Sequence, residues 1–401
     1  MLKRETLVER IYPEFPDEEY EIRLKKAKEA MEEHGIDALL IAQKENVEYF
    51  SGFMTSHWNV KGFCPGTVIL PREGEPVLVI PEFLRGTAER TSWIRNMKRH
   101  ERTHSNPRDF PNLVTKTIKE MELESGVIGI ETGEELHINM PIVDMDKIRV
   151  DLPKAKFVSG ADIIWECRMI KSPLEIERLK KATLINCKAY ERARELVKEG
   201  MTEIEIADIF RKTMIEEGSK LHPEHAFFNI RAGKERYPMA DTLCQERRIK
   251  KGEMLVLDCG CTYKGYWSDL CRVAHVGKPT SEHKRIYRTV VEAVNAAVDR
   301  LRPGIKAEEV YDIAHRIIEE AKYGVTLDMV GHGIGLDVHE PPVLGLGIDM
   351  TLKPGMVLCV EPWIYDVFDK GIFACEDMFV ITEKKCELLS PLPREELWIV
   401  E

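Results

Sequence analysis

The sequence predicts an α/β domain over residues 1–166 followed by an α+β domain over residues 167–401. Three observations carry this reading. At 401 residues the chain is longer than one domain usually is. Up to about residue 160, short apolar runs alternate with helical stripes, the pattern of strands crossed by helices. Beyond that point, helices with their own start signals precede and separate antiparallel hairpins, which makes an α+β unit.

In the first domain, residues 18–34 place apolar side chains at 22, 24, 27, 30 and 31, a helical stripe stopped by Gly35. A buried strand is predicted over 36–42, with further strands at 66–70, 76–80, 127–130 and near 156–158. Helices are predicted near 83–91, 109–121 and 135–145. The domain contains no glycine-rich nucleotide fingerprint. Its His57-Trp58-Asn59 loop reads as a half-buried anchor or, alternatively, as part of a substrate pocket, including one in a neighbouring subunit.

In the second domain, Ser172-Pro173-Leu174-Glu175 combines a capping serine, proline at the first helical position and an acid at the third. The helix runs to about Lys198 and stops at Gly200. Thr202 to Glu205 is a second capping box, opening a helix to about Glu217. A strand follows at 226–232 and then a hairpin. Pro279 and Thr280 announce a helix to about Leu301, Pro303-Gly304 breaks it, and 307–321 forms another.

The chemistry concentrates in two hairpins. In Asp258-Cys-Gly-Cys-Thr-Tyr-Lys-Gly-Tyr-Trp-Ser-Asp269, a loop at Thr262 to Gly265 puts Asp258 opposite Asp269 on one face, with Cβ atoms about 5 Å apart. Near the C-terminus, a loop at 367–370 puts Glu361 opposite Glu376. Four carboxylates will not share one place unpaired, and one or two metal ions are the usual resolution. Gly331-His332-Gly333-Ile334-Gly335 offers an imidazole between glycines that let the backbone approach closely.

With 43% hydrophobic and 32% charged residues, the composition is that of an ordinary globular protein. A net charge of -11 argues against nucleic acid as the main partner. No run of 18 apolar residues occurs and the start lacks a signal-peptide core, so a cytoplasmic enzyme away from membranes is the expectation. The ten cysteines follow no compact framework and read as reduced thiols. Cys271 and Cys359 each stand two residues from a candidate ligand on a strand, and read either as core filler beneath the site or as a sulfur ligand or redox switch.

Asp258, Asp269, His332, Glu361 and Glu376, in this order and spacing, resemble the metal set of the pita-bread metallohydrolases: methionine aminopeptidase, aminopeptidase P, prolidase and their metal-free relative creatinase. Gly265-Tyr-Trp-Ser-Asp269, Gly331 to Glu340, Lys353-Pro-Gly-Met356 and Cys359-Val-Glu-Pro362 look like signatures of that family, and the first domain looks like its creatinase-type N-terminal domain. The resemblance implies a pita-bread catalytic domain with two divalent metal ions, manganese first, with iron, cobalt or zinc as alternatives. It implies that Asp258 chelates one ion, His332 and Glu361 the other, and that Asp269 and Glu376 bridge. A bridging hydroxide would attack, Glu361 would shuttle its proton, and His339 would steady the substrate oxygen. It also implies a homodimer in which the first domain of one subunit helps to close the pocket of the other.

The sequence departs from that family in substrate-binding positions. No histidine occurs in Tyr237 to Cys244, and Asp328 stands four residues before His332 where the family usually has another. His222 and His225 are candidate substitutes in space. The leading expectation is a dinuclear hydrolase of the Xaa-Pro dipeptidase or aminopeptidase type, acting on a short peptide or peptide-like amide. The alternative is a non-peptidase on the same scaffold, a small-molecule amidohydrolase or a relative of dimethylsulfoniopropionate lyase. Gly260, where that lyase carries an extra acid, favours the hydrolase. A binding module descended from the enzyme would have lost ligands, and none is lost.

Overall fold

The computed structural model describes residues 14–60, 64–101, 109–133, 135–219, 226–240, 242–323, 327–365 and 369–401. The chain divides after Arg168 into two compact units.

The first unit is built on a mixed sheet of six strands, β1 (Ala38–Ile41), β2 (Thr67–Pro71), β3 (Val77–Pro81), β4 (Met97–His100), β5 (Val127–Ile130) and β6 (Lys156–Ser159), in the order β4-β3-β2-β1-β5-β6. β2 runs antiparallel to both its neighbours, and the other pairs are parallel. The helices are α1 (Asp17–His34), α2 (Lys44–Ser51), α3 (Arg85–Thr91), α4 (Asp109–Glu120), α5 (Ile142–Asp151) and α6 (Ala161–Met169). Leu40, Ile69, Val79 and Ile128 from the strands pack against Phe110 and Val114 of α4 in the core.

Two differences from the sequence expectation have physical causes, one local and one from a residue distant in the chain. The helix expected near 135–145 begins instead at Ile142, because Pro141 has no amide hydrogen to give and sits at the N-cap. α2 was not expected at all. Its N-cap, Gln43, caps nothing with its own side chain. The cap comes from Glu131, whose carboxylate accepts the amides of Ala42 (2.6 Å) and Gln43 (2.8 Å) and the Asn46 side chain (2.8 Å).

The second unit contains two helix pairs, each backing antiparallel strands. α7 (Pro173–Leu196) and α8 (Glu203–Glu217) open with the capping boxes at Ser172/Glu175 and Thr202/Glu205. α7 packs on β8 (Met254–Tyr263) and β9 (Tyr266–Val276), which join β7 (Ala226–Ala232) and a C-terminal strand in a four-stranded sheet. α9 (Ser281–Val298) and α10 (Ala307–Glu320) pack together over β10 (Met329–Gly333), β11 (Glu340–Gly345), β12 (Val357–Val360) and the short pair β13 (Trp363–Ile364) and β14 (Phe373–Ala374). β15 (Asp377–Ile381) and β16 (Cys386–Leu388) complete the order β11-β10-β12-β15-β16, and β17 (Trp398–Val400) edges the other sheet beside β9. Among the described residues, no helix is long and apolar enough to cross a membrane.

Candidate metal centre

The β8–β9 hairpin turns at Lys264 and Gly265, whose φ values of 50° and 84° both lie in the left-handed region. Such two-residue turns match the twist of the flanking strands. The loop is therefore two residues long, not the four expected, and the register moves with it. Tyr263 pairs with Tyr266, Gly260 with Asp269 and Asp258 with Cys271. Asp258 and Asp269 are diagonal neighbours, not opposite ones. A slip of two leaves every side chain on its face, whereas a slip of one would have sent an aspartate to the far side. Gly260, between the aspartates on that face, has no room for a Cβ, which would collide with the Ser268 carbonyl and the Phe227 ring.

The second hairpin keeps a single register, Val360 with Asp377 before the interruption and Trp363 with Ala374 after it, so Glu361 lies across from Glu376. Both glutamates fall in the gap between the two ladders, where the backbone finds other partners. Glu361 N–H donates to the Val330 carbonyl (2.8 Å) and Glu376 N–H to the Cys271 carbonyl (3.0 Å). The gap thus stitches the second hairpin to β10 on one side and to β9 on the other. Of the loop expected at 367–370, residues 367 and 368 lie outside the described residues.

His332 sits on β10 opposite Cys359. A Cβ on Gly331 or Gly333 would strike the Cys359 or Pro341 carbonyl oxygen, and one on Gly335 would come within 2.5 Å of the Glu340 carboxylate. At Gly331 and Gly333 the close approach is therefore backbone against backbone, and at Gly335 it is backbone against a carboxylate side chain. His332 Nδ1 lies 2.9 Å from the Gly333 carbonyl, which can only accept, so Nδ1 carries a proton. Nε2 is left facing Glu361 Oε1 at 3.2 Å and Asp269 Oδ2 at 4.0 Å.

These contacts bring all five expected ligands together. Asp258, Asp269 and Glu376 offer oxygens within 4.8 Å of one another, and so do the ligand atoms of Asp269, His332 and His339, and of His332, Cys359 and Glu376. Asp269 Oδ1, both Glu376 carboxylate oxygens and His332 Nε2 are buried without a hydrogen-bond partner. Burial, then the charges of Asp258 and Glu361, push the Asp269 carboxyl far above its usual range; Glu376 rises through burial and the charges of Asp269 and Glu361. Burial opposes the charged forms of Glu361 and His332 too, but their mutual attraction across 3.2 Å outweighs it, lowering Glu361 and raising His332. Buried, partnerless and mutually repelling oxygens with one imidazole fit divalent cations, which would relieve the repulsion.

His339 is exposed, its ring 3.9 Å from that of His332. The buried Glu340 beside it anchors the loop, taking the amides of Leu336 (2.9 Å) and Asp337 (3.2 Å) and the Lys171 ammonium (2.9 Å). A cavity of about 1170 Å³ opens on the cluster, lined by Asp258, Asp269, His339 and Glu361 and by apolar groups that include Phe227 and Trp267. His222 and His225 lie outside the described residues. His57 belongs to the first unit, where its ring lies 5.1 Å from that of Phe83.

Sequence reasoning missed four residues around the ligands. Trp363 Nε1 donates to Glu361 Oε2 (2.9 Å) and its ring stacks on Tyr365. Asn229, opposite Asp258 in the sheet, donates to Asp258 Oδ2 (3.0 Å), and Arg231 donates to Asn229 Oδ1. The available signal was two polar residues at alternate positions of an otherwise apolar strand.

Residues 177–383 match metallopeptidase family M24 and residues 23–170 the creatinase/prolidase N-terminal domain. The chain is 32% identical over 376 residues to the Xaa-Pro dipeptidase of Pyrococcus horikoshii, covering 93% of this chain and 98% of that protein. Among solved structures it is similar to the prolidase from the same organism, with a TM-score of 0.79 at 31% identity over 94% of this chain and 100% of that one. It is also similar to the dipeptidase PepE from Mycobacterium ulcerans, with a TM-score of 0.84 at 25% identity over 96% and 99%.

Proposed function

The chain belongs to metallopeptidase family M24 and is a metal-dependent peptidase; on that premise we propose that it is an Xaa-Pro dipeptidase-type hydrolase holding two divalent cations. Asp258, Asp269, His332, Glu361 and Glu376 are the proposed ligands. The observation that carries this is the set of buried, partnerless ligand atoms on Asp269, His332 and Glu376, with Asp258 and Glu361 beside them. The oxygen-rich donor set favours manganese, with iron, cobalt or zinc as alternatives. The matched relatives bear the names of dipeptidases and prolidases, and the lyase or small-amide alternative is not favoured.

Cations bound there supply Lewis acidity, polarising a carbonyl and acidifying water. The chain's own groups do the rest. Glu361, with Oε2 held by Trp363, takes up a proton on the way to the tetrahedral species and returns it to the leaving amine. His339, at the cavity face, donates to the substrate oxygen as negative charge develops. Phe227 and Trp267 keep the chamber apolar and hold the substrate's side chain. The same reading takes 1–166 and 167–401 as domains, supported by the two separate family matches, and includes a homodimer. A cytoplasmic location is supported by ten cysteines that all remain thiols.

The test is metal content of anaerobically purified protein by mass spectrometry, paired with hydrolysis of Xaa-Pro dipeptides and tripeptides with added manganese. Two metals per chain and Xaa-Pro cleavage, both reduced by Asp269→Asn, are expected. Bound metal without peptide cleavage would refute the Xaa-Pro reading.

A further inference from the structure

Arg231 is the largest anomaly near the site, a guanidinium with no exposed surface and no ion pair among the described residues. Buried charges are ordinarily paired, because desolvation is otherwise uncompensated. Its hydrogen bonds run instead to two neutral groups. One nitrogen donates to Asn229 Oδ1 and another to the Tyr365 hydroxyl (3.4 Å), while Nε has no partner.

Each contact leads to a carboxylate. Arginine only donates, so Asn229 must present its oxygen to Arg231, and its amide nitrogen is then directed at Asp258 Oδ2, 3.0 Å away. The two neighbours agree, since the reversed amide would set oxygen against carboxylate and nitrogen against guanidinium. On the other side, Tyr365 stacks on Trp363 with ring centroids 5.3 Å apart, and the guanidinium carbon stands 5.9 Å from the Trp363 ring, within cation–π range. Trp363 in turn donates to Glu361 Oε2. One oxygen of each carboxylate is thereby engaged by a fixed neighbour, and the charge Arg231 lacks close by is supplied by the acidic cluster these relays reach.

We propose that Arg231 is a positioning residue for the metal centre, orienting Asp258 through Asn229 and Glu361 through Tyr365 and Trp363. Groups that fix a ligand's orientation typically change metal affinity by about ten- to hundredfold when removed. The inference rests on reading Asp258 and Glu361 as metal ligands.

The experiment is titration calorimetry of Mn2+ into the metal-stripped full-length chain, for wild type, Asn229→Leu, Arg231→Met, Arg231→Lys, the Asn229→Leu/Arg231→Met double variant and Asp258→Asn. Asn229→Leu is expected to weaken one Mn2+ site about tenfold or more, and Arg231→Met to weaken both. The double variant should be no weaker at the Asp258 site than Arg231→Met, because both changes cut one relay. Arg231→Lys should restore part of the loss, since one ammonium keeps the charge without the fork. Wild-type affinity in Asn229→Leu, or losses that add in full, would overturn the relay. Asn229→Leu decides the matter if Arg231→Met does not fold. Unchanged Mn2+ uptake by Asp258→Asn would remove the ligand reading itself, and the proposal with it.

Discussion

Replacing Lys171 with methionine should destabilise the second unit by about 3 kcal/mol, a cost that follows from where its ammonium lies. Lys171 Nζ is 2.9 Å from Glu340 Oε2, and the two side chains are only 2% and 1% exposed. A pair on the surface would be worth about 0–1 kcal/mol. Here Lys171→Met leaves a carboxylate charge sealed in the interior, and breaking such a pair from one side costs about 3–5 kcal/mol. Glu340 Oε1 still accepts the amides of Leu336 and Asp337, which places the expected cost at the lower end. The companion variant Lys171→Met/Glu340→Gln keeps an acceptor for those amides and removes the stranded charge, so it should recover about half of the loss. The assay is urea unfolding of all three proteins under one buffer. A cost for Lys171→Met below about 1 kcal/mol would refute the reasoning, and so would a double variant no more stable than the single one. The same loop presents His339 to the cavity, so turnover should fall in Lys171→Met and recover in parallel.

Gly333→Ala would set a Cβ against the Pro341 carbonyl and 2.7 Å from the Glu340 carbonyl oxygen, both backbone. A loss of at least about 1–3 kcal/mol is expected in denaturant unfolding, with reduced Mn2+ stoichiometry because His332 must move. His283, the third residue of the capping box on Thr280, has its pKa lowered from 6.5 by burial and then by His275. A depressed base favours the neutral form in the fold, so this stability is present above pH 6.5 and is lost as pH falls through the lower folded value. His283→Gln keeps a capping side chain and should flatten that acid-side loss in unfolding free energy measured from pH 7 to 5; an unchanged slope would refute the assignment. Mn2+ at 100 times the Kd of a site should add about 2.7 kcal/mol per occupied site to the unfolding free energy of metal-stripped protein, and a chelator should remove it.

Much of this protein was legible in the sequence because much of it is local. The capping boxes at Ser172 and Thr202 satisfy amides three residues away, and both helices start where those residues say. Strand periodicity of two decided the face on which Asp258, Asp269, Glu361 and Glu376 lie, and the glycines around His332 announced a backbone approach that leaves no space for a Cβ. The partner across each strand is a different kind of fact. In the first hairpin it depended on two consecutive left-handed residues, Lys264 and Gly265, which shortened the loop and moved the register by two. The tertiary structure also decided what lies far apart in sequence: the Glu131 cap on α2, the Lys171 clamp on the His339 loop, and the Arg231 network behind Asp258 and Glu361. Each joins groups whose meeting costs chain entropy that only the folded core repays, and no spacing along the chain records such a meeting.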